Sequence, residues 1–446
     1  MAEPSKEWTA SALQHHDGPG DAPADDTNKR AGLLHMPTVR RLGKQKKGST
    51  SPMDWGMPGE LTKEEVDVFM KFREIVEQRG GEFRNTIYSF SEEEGEAYTL
   101  CRWLRARKFK LNDVVAMIEE ATEVRKEARL KDFYPDPIEA LGADPSIYLA
   151  LYPQCYSGVA KTGAPVFWSK PGVLNVDGME CITSLDGILK YHWYVMMHDY
   201  ANRLRSQKVK DPEFNRFECV AVMDLDHLTT AQVSQRALNI IKTQTAIDSV
   251  CFPETMQKML IINAPRFFSL SWKIIKGWID QRTAAKIEII SSRSSWEKRL
   301  KELVDKDQLP SDYGGTGPNT KVTQMENASE GVRKMHTELM HLRAHASHIF
   351  DVVAGEEMEI TVYTRGTTGA IFSIVDGASK KGTTYVDNVD VTHAGPTDEL
   401  SPPSSVLITE SSGRIAGPGK IKVRADSKGG RFSAENFLLV AKVYKQ

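Results

Sequence analysis

The sequence predicts a multidomain chain: an N-terminal helical bundle, an α/β domain with a mainly parallel sheet, and an all-β sandwich at the C-terminus. Three observations predict it. Apolar residues recur at helical spacing over residues 61–129, apolar strands alternate with helical stretches between residues 145 and 318, and short alternating runs separated by Gly, Pro, Ser and Asp clusters follow residue 346. The expected organisation is a disordered basic and polar segment over 1–57, a helical lobe over 58–135, the α/β domain over 145–318, a linker over 319–345 and the sandwich over 346–446.

Residues 1–57 are rich in Pro, Gly, Asp, Ser and Lys, with apolar residues in no periodic order, so burial cannot offset the entropy of ordering them. Within them Arg40, Arg41, Lys44, Lys46 and Lys47 form a basic run suited to a solvated tail or to an anionic membrane surface. Thr62 to Glu65 then reads as a capping box, followed by Val66, Phe69, Met70 and Phe72 at helical spacing. Val114, Val115, Ile118, Ala121 and Val124 mark one face of a later helix. Helices this short need one another, hence a bundle.

Strands are expected at 165–168, 217–225, 258–264 and 286–290, with helices at 184–204, 230–249, 268–280 and 294–304. Near-continuous apolar strands separated by helices imply a largely parallel sheet with helices on its faces. Gly314, Gly315 and Gly317 close the module.

The 446 residues carry a formal net charge of -2, so no nucleic acid partner is expected. Five widely spaced cysteines without a CxxC pair fit a reducing compartment better than a disulfide framework. With no signal-like start and no long apolar run, a cytoplasmic protein is expected.

Catalytic signatures are missing: there is no phosphate loop, nucleophile elbow, HExxH or GxGxxG. His341 and His345 stand at i and i+4 on an expected linker helix, but no acid or cysteine accompanies them, so they read as a polar face. Asp224, Asp226 and His227 at a strand end are the one enzyme-like group, and no nucleophile joins them. The chain is therefore read as a non-enzyme without cofactor or metal.

The informative stretch is 268–280. Phe268, Trp272, Ile275 and Ile279 form one stripe, and Phe267, Leu270, Ile274 and Trp278 widen it to most of the circumference. Such a helix is either buried on all sides or meets a ligand or membrane with its outer face. It follows Cys251-Phe252-Pro253-Glu254 and the turn Asn263-Ala264-Pro265. Together with Leu104-Arg105-Ala106-Arg107-Lys108-Phe109 upstream and Leu309-Pro310 to Gly314-Gly315 downstream, this order of motifs resembles the CRAL-TRIO lipid-binding family.

The resemblance implies a lipid pocket floored by the sheet and gated by the 268–280 helix, with Phe268, Trp272, Ile275, Trp278 and Ile279 on the gate. It implies headgroup contacts at Arg107, Lys108, Glu254 and Lys286. Thr255 stands where the family carries an arginine, and threonine cannot make a bidentate phosphate contact. Pocket positions fall on Tyr156, Phe167, Cys219 and Ala221; the family's choline-binding hydroxyls are absent at Phe167, Cys219 and Ala221, and Tyr156 keeps one phenol. A phosphatidylinositol-type phospholipid is the expected ligand, with another apolar lipid as the alternative. More weakly, Phe350 to Glu356 and Asn436 to Tyr444 resemble a GOLD domain, which implies a protein partner or Golgi membranes. The functional expectation is lipid transfer or presentation at transiently bound membranes, Golgi or endosomal; the alternative is a lipid-sensing adaptor that recruits partners through the sandwich.

Overall fold

The computed structural model describes residue 42 and residues 54–90, 92–230, 232–321, 331–378, 383–395, 403–429 and 434–446. The helix Lys63–Arg79 opens on the expected capping box: the Glu65 amide donates to Thr62 Oγ1 at 3.2 Å, and the Thr62 amide donates to Glu65 Oε2 at 2.8 Å. Its buried face, Val66, Phe69, Phe72 and Val76, shares one apolar core with the helices Glu96–Ala106 and Leu111–Val124.

The α/β part is built on a five-stranded sheet of order β1 (Gln154–Val159), β2 (Pro165–Ser169), β3 (Cys219–Asp224), β4 (Met256–Ile262) and β5 (Ile287–Ile290). β1 runs antiparallel to β2 and the other three pairings are parallel. The helical stretch expected over 184–204 is one run from Leu185 to Lys210, interrupted by a π-helical segment at Val195–Tyr200. Among the described residues no helix is long and apolar enough to cross a membrane.

The C-terminal region is β-rich and forms two sheets. One contains β10 (Thr384–Val391), β9 (Ala370–Asp376), β13 (Gly419–Ser427) and β7 (His345–Val352). The other contains β11 (Ser404–Leu407), β8 (Glu356–Thr364), β14 (Glu435–Lys445) and β6 (Val332–Leu342), with β12 (Ile415–Ala416) paired to β8. Their facing sides interdigitate as one core, including Ile360, Val362, Phe372, Val423, Phe437 and Leu439. β14 is buried on both faces: Leu438 and Val440 point away from that core into a second cluster with Leu141, Ile147, Tyr148, Met179 and Ile182. Lys442 pairs with Asp144 at 2.9 Å across the same junction.

Three expectations need correction. β6 occupies the stretch read as a linker helix, so His341 and His345 lie on two strands; they bond to Asn436 and Asp426 instead of sharing a helical face. The reason is that β6 has apolar residues on both sides, Met335 and Leu339 on one and Met340 and Leu342 on the other, which hides a period of two. Second, Leu42 and residues 54–57, expected within a disordered tail, are placed against the helical part; the rest of 1–53, including the basic run, lies outside the described residues. Third, the apolar helix spans Phe268–Lys276, not 268–280, because Gly277 ends it and Asp280 caps a new short helix, Gln281–Ala285.

Candidate functional site

The site begins with a difference between the two faces of the sheet. Side chains alternate along each strand, so Val166, Val220, Val222, Leu260 and Ile262 point to one side, where Trp296 and Leu300 of the helix Arg293–Leu303 bury them completely. Register places Tyr156 opposite Phe167, Phe167 beside Ala221, Ala221 beside Met259, and Met259 beside Ile287 on the other side. This second face is as apolar as the first. Yet Tyr156, Phe167, Cys219, Met223, Met259 and Ile287 are only half-buried, and Ile289 is 40% exposed. Tyr156 and Cys219 also sit deep enough that burial pushes the phenol well up and the Cys219 thiol to about 12. This face is therefore apolar and only partly covered.

All four expected pocket residues, Tyr156, Phe167, Cys219 and Ala221, are thus brought together. Tyr200, from the π-helical segment, was not anticipated. Its ring stacks on Tyr156 at 5.8 Å, its hydroxyl donates to the Thr255 carbonyl at 3.2 Å, and Arg203 lies 5.0 Å from the Tyr156 ring centre. A π-turn shifts the side chains that follow it, and such segments recur at functional sites.

The Phe268–Lys276 helix covers the far end of this face. Phe268, Ser271, Trp272 and Ile275 recur at i, i+3, i+4 and i+7, and Phe268, Trp272 and Ile275 pack on Met223, Leu225, Met259, Ile261 and Ile287. Its outer side is also apolar: Leu270 is 66% and Ile274 50% exposed, flanked by exposed Lys273 and Lys276. The helix is therefore not a fully buried core element. Trp278 and Ile279 are half-buried in the turn beyond it.

That helix follows a fixed turn. Asn263 holds φ +54, a left-handed conformation that asparagine tolerates. Its Nδ2 donates to Asp224 Oδ1 at 2.8 Å and its Oδ1 accepts from Trp296 Nε1 at 2.9 Å. Asp224 also accepts from the Tyr313 hydroxyl at 2.8 Å and from the Asp226 amide at 3.0 Å. The carboxylate that looked enzyme-like is occupied in holding a turn, while His227 is exposed beside Asp226.

At the opposite strand ends, Glu254 gathers cations. Lys286 Nζ lies 3.1 Å from its carboxylate, Arg105 3.2 Å and Arg282 3.9 Å. Burial opposes ionisation of Glu254, but the charges of Lys286, Arg105 and Arg282 outweigh it and hold the carboxyl below its ordinary value. Arg105 also reaches Glu218 at 3.7 Å, which pairs with Arg216 at 3.0 Å. Glu254 and Lys286 are thus brought together as expected. Thr255 stands next to Glu254, but its hydroxyl donates to the Phe252 carbonyl. Arg107 is half-buried and bonded to the Ala106 carbonyl, and Lys108 is exposed; neither makes an ion pair among the described residues. The helix ends at Ala106, so its inward face carries Arg105 while Lys108, at φ +52, turns outward. Buried Arg105 was legible only as part of a basic run, and Arg282 only as one residue of the run from Trp278 to Lys286, with no role assigned to it.

Comparison with known proteins bears on this arrangement. A CRAL/TRIO domain model matches residues 149–315. A CRAL-TRIO domain-containing protein of Saccharomyces cerevisiae is 30% identical over 275 residues, covering 60% of this chain and 84% of the relative. The SEC14 cytosolic factor of Candida glabrata is 31% identical over 223 residues, covering 49% of this chain and 70% of the relative. A phosphatidylinositol/phosphatidylcholine transfer protein of Arabidopsis thaliana is 27% identical over 222 residues, or 49% of this chain. The chain spans only 37% of that relative's length.

Proposed function

The chain belongs to the CRAL/TRIO family, and from that premise we propose that it encloses one lipid against the half-covered face of its sheet and carries it between membranes. The observation that carries the reading is the contrast between the faces: one sealed, the other equally apolar, deep and still accessible. An apolar occupant would be stabilised on such a surface, because each buried CH₂ contributes roughly 0.8 kcal/mol.

The proposed lipid is of the phosphatidylinositol type. The Arabidopsis and Candida relatives bear transfer-protein and SEC14 names, and Arg105, Arg282 and Lys286 around Glu254 suit a phosphate-bearing headgroup. Arg107, Lys108 and Thr255 are its proposed outer contacts. The Phe268–Lys276 helix is the proposed gate: Phe268, Trp272 and Ile275 close the pocket, and Leu270 and Ile274 enter the bilayer interface with Lys273 and Lys276 at anionic headgroups. Trp278 and Ile279 flank its far hinge.

The test is transfer of labelled phosphatidylinositol between vesicles by the purified chain, with mass spectrometry of the bound molecule. Trp272→Asp should abolish transfer, and Lys286→Ala should slow phosphatidylinositol without slowing a headgroup-free lipid. A chain that carries no lipid and transfers none ends this reading. A lipid-sensing adaptor is the second reading. It is favoured by the outer face of the β10, β9, β13 and β7 sheet, where Ile349, Lys420 and Arg424 are exposed among the described residues while the other sheet is docked. In it the C-terminal region is a GOLD-like sandwich that recruits a protein to Golgi or endosomal membranes from the cytoplasm.

A further inference from the structure

Residues 54–57 close over the charged cluster. Asp54 pairs with Arg216 at 3.0 Å, and the Arg282 guanidinium lies 4.3 Å from the centre of the Trp55 ring. That ring meets Phe109 edge-on at 5.6 Å, and Arg105 Nη1 donates to the Met57 sulfur at 3.2 Å. Gly56 holds φ +68, and a Cβ there would fall 2.8 Å from both Arg105 Cγ and the Phe109 ring. Only glycine lets the backbone lie this close. One short stretch therefore meets three arginines with a carboxylate, an aromatic face and a thioether. Leu42 holds the chain just beyond this stretch: its side chain is 1% exposed, and its carbonyl accepts from the Gly59 and Leu61 amides at 3.0 and 3.2 Å, so residues 54–57 are fixed on that side and not by Leu42 itself.

These contacts are of unequal permanence. Glu218 stands one residue before β3 and Glu254 two before β4, and both are held by the sheet. Asp54 belongs to a turn with no strand or helix of its own. Among the groups named, the four cations Arg105, Arg216, Arg282 and Lys286 face three carboxylates, and Asp54 is the one on a segment that could leave. Its departure would raise the formal charge of the group from one positive to two and bare the face of Arg282. A partly desolvated cation–π contact and an ion pair are each weak enough to be exchanged for charge-assisted bonds to phosphate.

We propose that residues 54–57 form an acidic and aromatic lid that competes with phosphate-bearing ligands for this cluster. The lid holds Arg216 and Arg282 when closed and yields them when a phosphate arrives. The proposal rests on reading the cluster as the headgroup end of the lipid site. The shared ligand chemistry is a phosphate ester or free phosphate, presented by a lipid headgroup or from solution.

The test uses the full chain, with Asp54→Asn/Trp55→Ala against wild type and Trp55→Phe as the ring-preserving control. Uptake of labelled phosphatidylinositol from phosphatidylcholine vesicles should become about threefold to tenfold faster in the double variant. Uptake of labelled diacylglycerol, which lacks phosphate, should not change, even though loss of the Trp55 ring from Phe109 lowers the melting temperature of the double variant, and Trp55→Phe should behave as wild type. Inhibition of uptake by inorganic phosphate in the double variant alone supports a lid that also excludes free phosphate; no inhibition supports one that acts on the lipid headgroup. Equal or slower phosphatidylinositol uptake by the double variant overturns the lid. If wild type takes up neither lipid, the transfer reading fails and the lid with it.

Discussion

Glu254 is the residue on which most charge converges, with Lys286, Arg105 and Arg282 around one buried carboxylate. Removing one partner of a buried ion pair leaves the others uncompensated, which costs about 3–5 kcal/mol. Glu254→Gln should therefore lower stability by about that amount in denaturant titration at neutral pH. Its folded-state pKa lies below the ordinary 4.5, so the native state binds fewer protons there than the unfolded chain. The contribution is then full above about pH 5 and is lost as pH falls through the depressed value. The stability gap between wild type and Glu254→Gln should accordingly narrow below pH 4.5 and stay constant from pH 6 to 8. A gap that widens on acidification would contradict the assigned cause.

At the scale of elements, two helices show opposite economies. Lys63–Arg79 is set by its own sequence, through the Thr62 and Glu65 cap and one apolar face. Thr62→Ala should cost about 1 kcal/mol, read as a lower melting temperature with unchanged lipid transfer. Phe268–Lys276 has apolar residues on both sides, and solvent meets one of them. Replacing Leu270 and Ile274 together by Asp should leave the fold intact, because both side chains are exposed, and should weaken sedimentation with anionic vesicles at least about tenfold. Unchanged vesicle binding would remove this helix from the membrane contact.

For the whole molecule, the junction between the α/β part and the β-rich region has an apolar centre with the Lys442–Asp144 ion pair beside it. Leu438 and Val440 on the outer side of β14 enter the cluster of Ile147, Tyr148 and Met179. The two parts should therefore move as one body. Leu438→Ala should cost about 2–5 kcal/mol. Leu438→Asp should expose the junction to limited proteolysis. Separate unfolding transitions already present in wild type would argue against this coupling.

Several features were legible in the chain alone. The cap at Thr62, the apolar strands of the sheet, the Asn263-Ala264-Pro265 turn and the apolar stretch from Phe268 are local patterns, and local patterns survive without knowledge of distant partners. The nearness of Glu254 to Lys286 was also expected, from the resemblance of the motifs that carry them. What the sequence could not decide depends on contacts across long separations. Arg105 reaches Glu254 because its helix stops at Ala106, Arg282 sits beneath Trp55 from more than two hundred residues away, and Tyr200 enters the pocket through a π-turn. β6 hid as a linker because both its sides are covered, one by the facing sheet and one by the helices beyond. Periodicity reports how many faces a segment buries; only the folded molecule decides what lies on the other side of each.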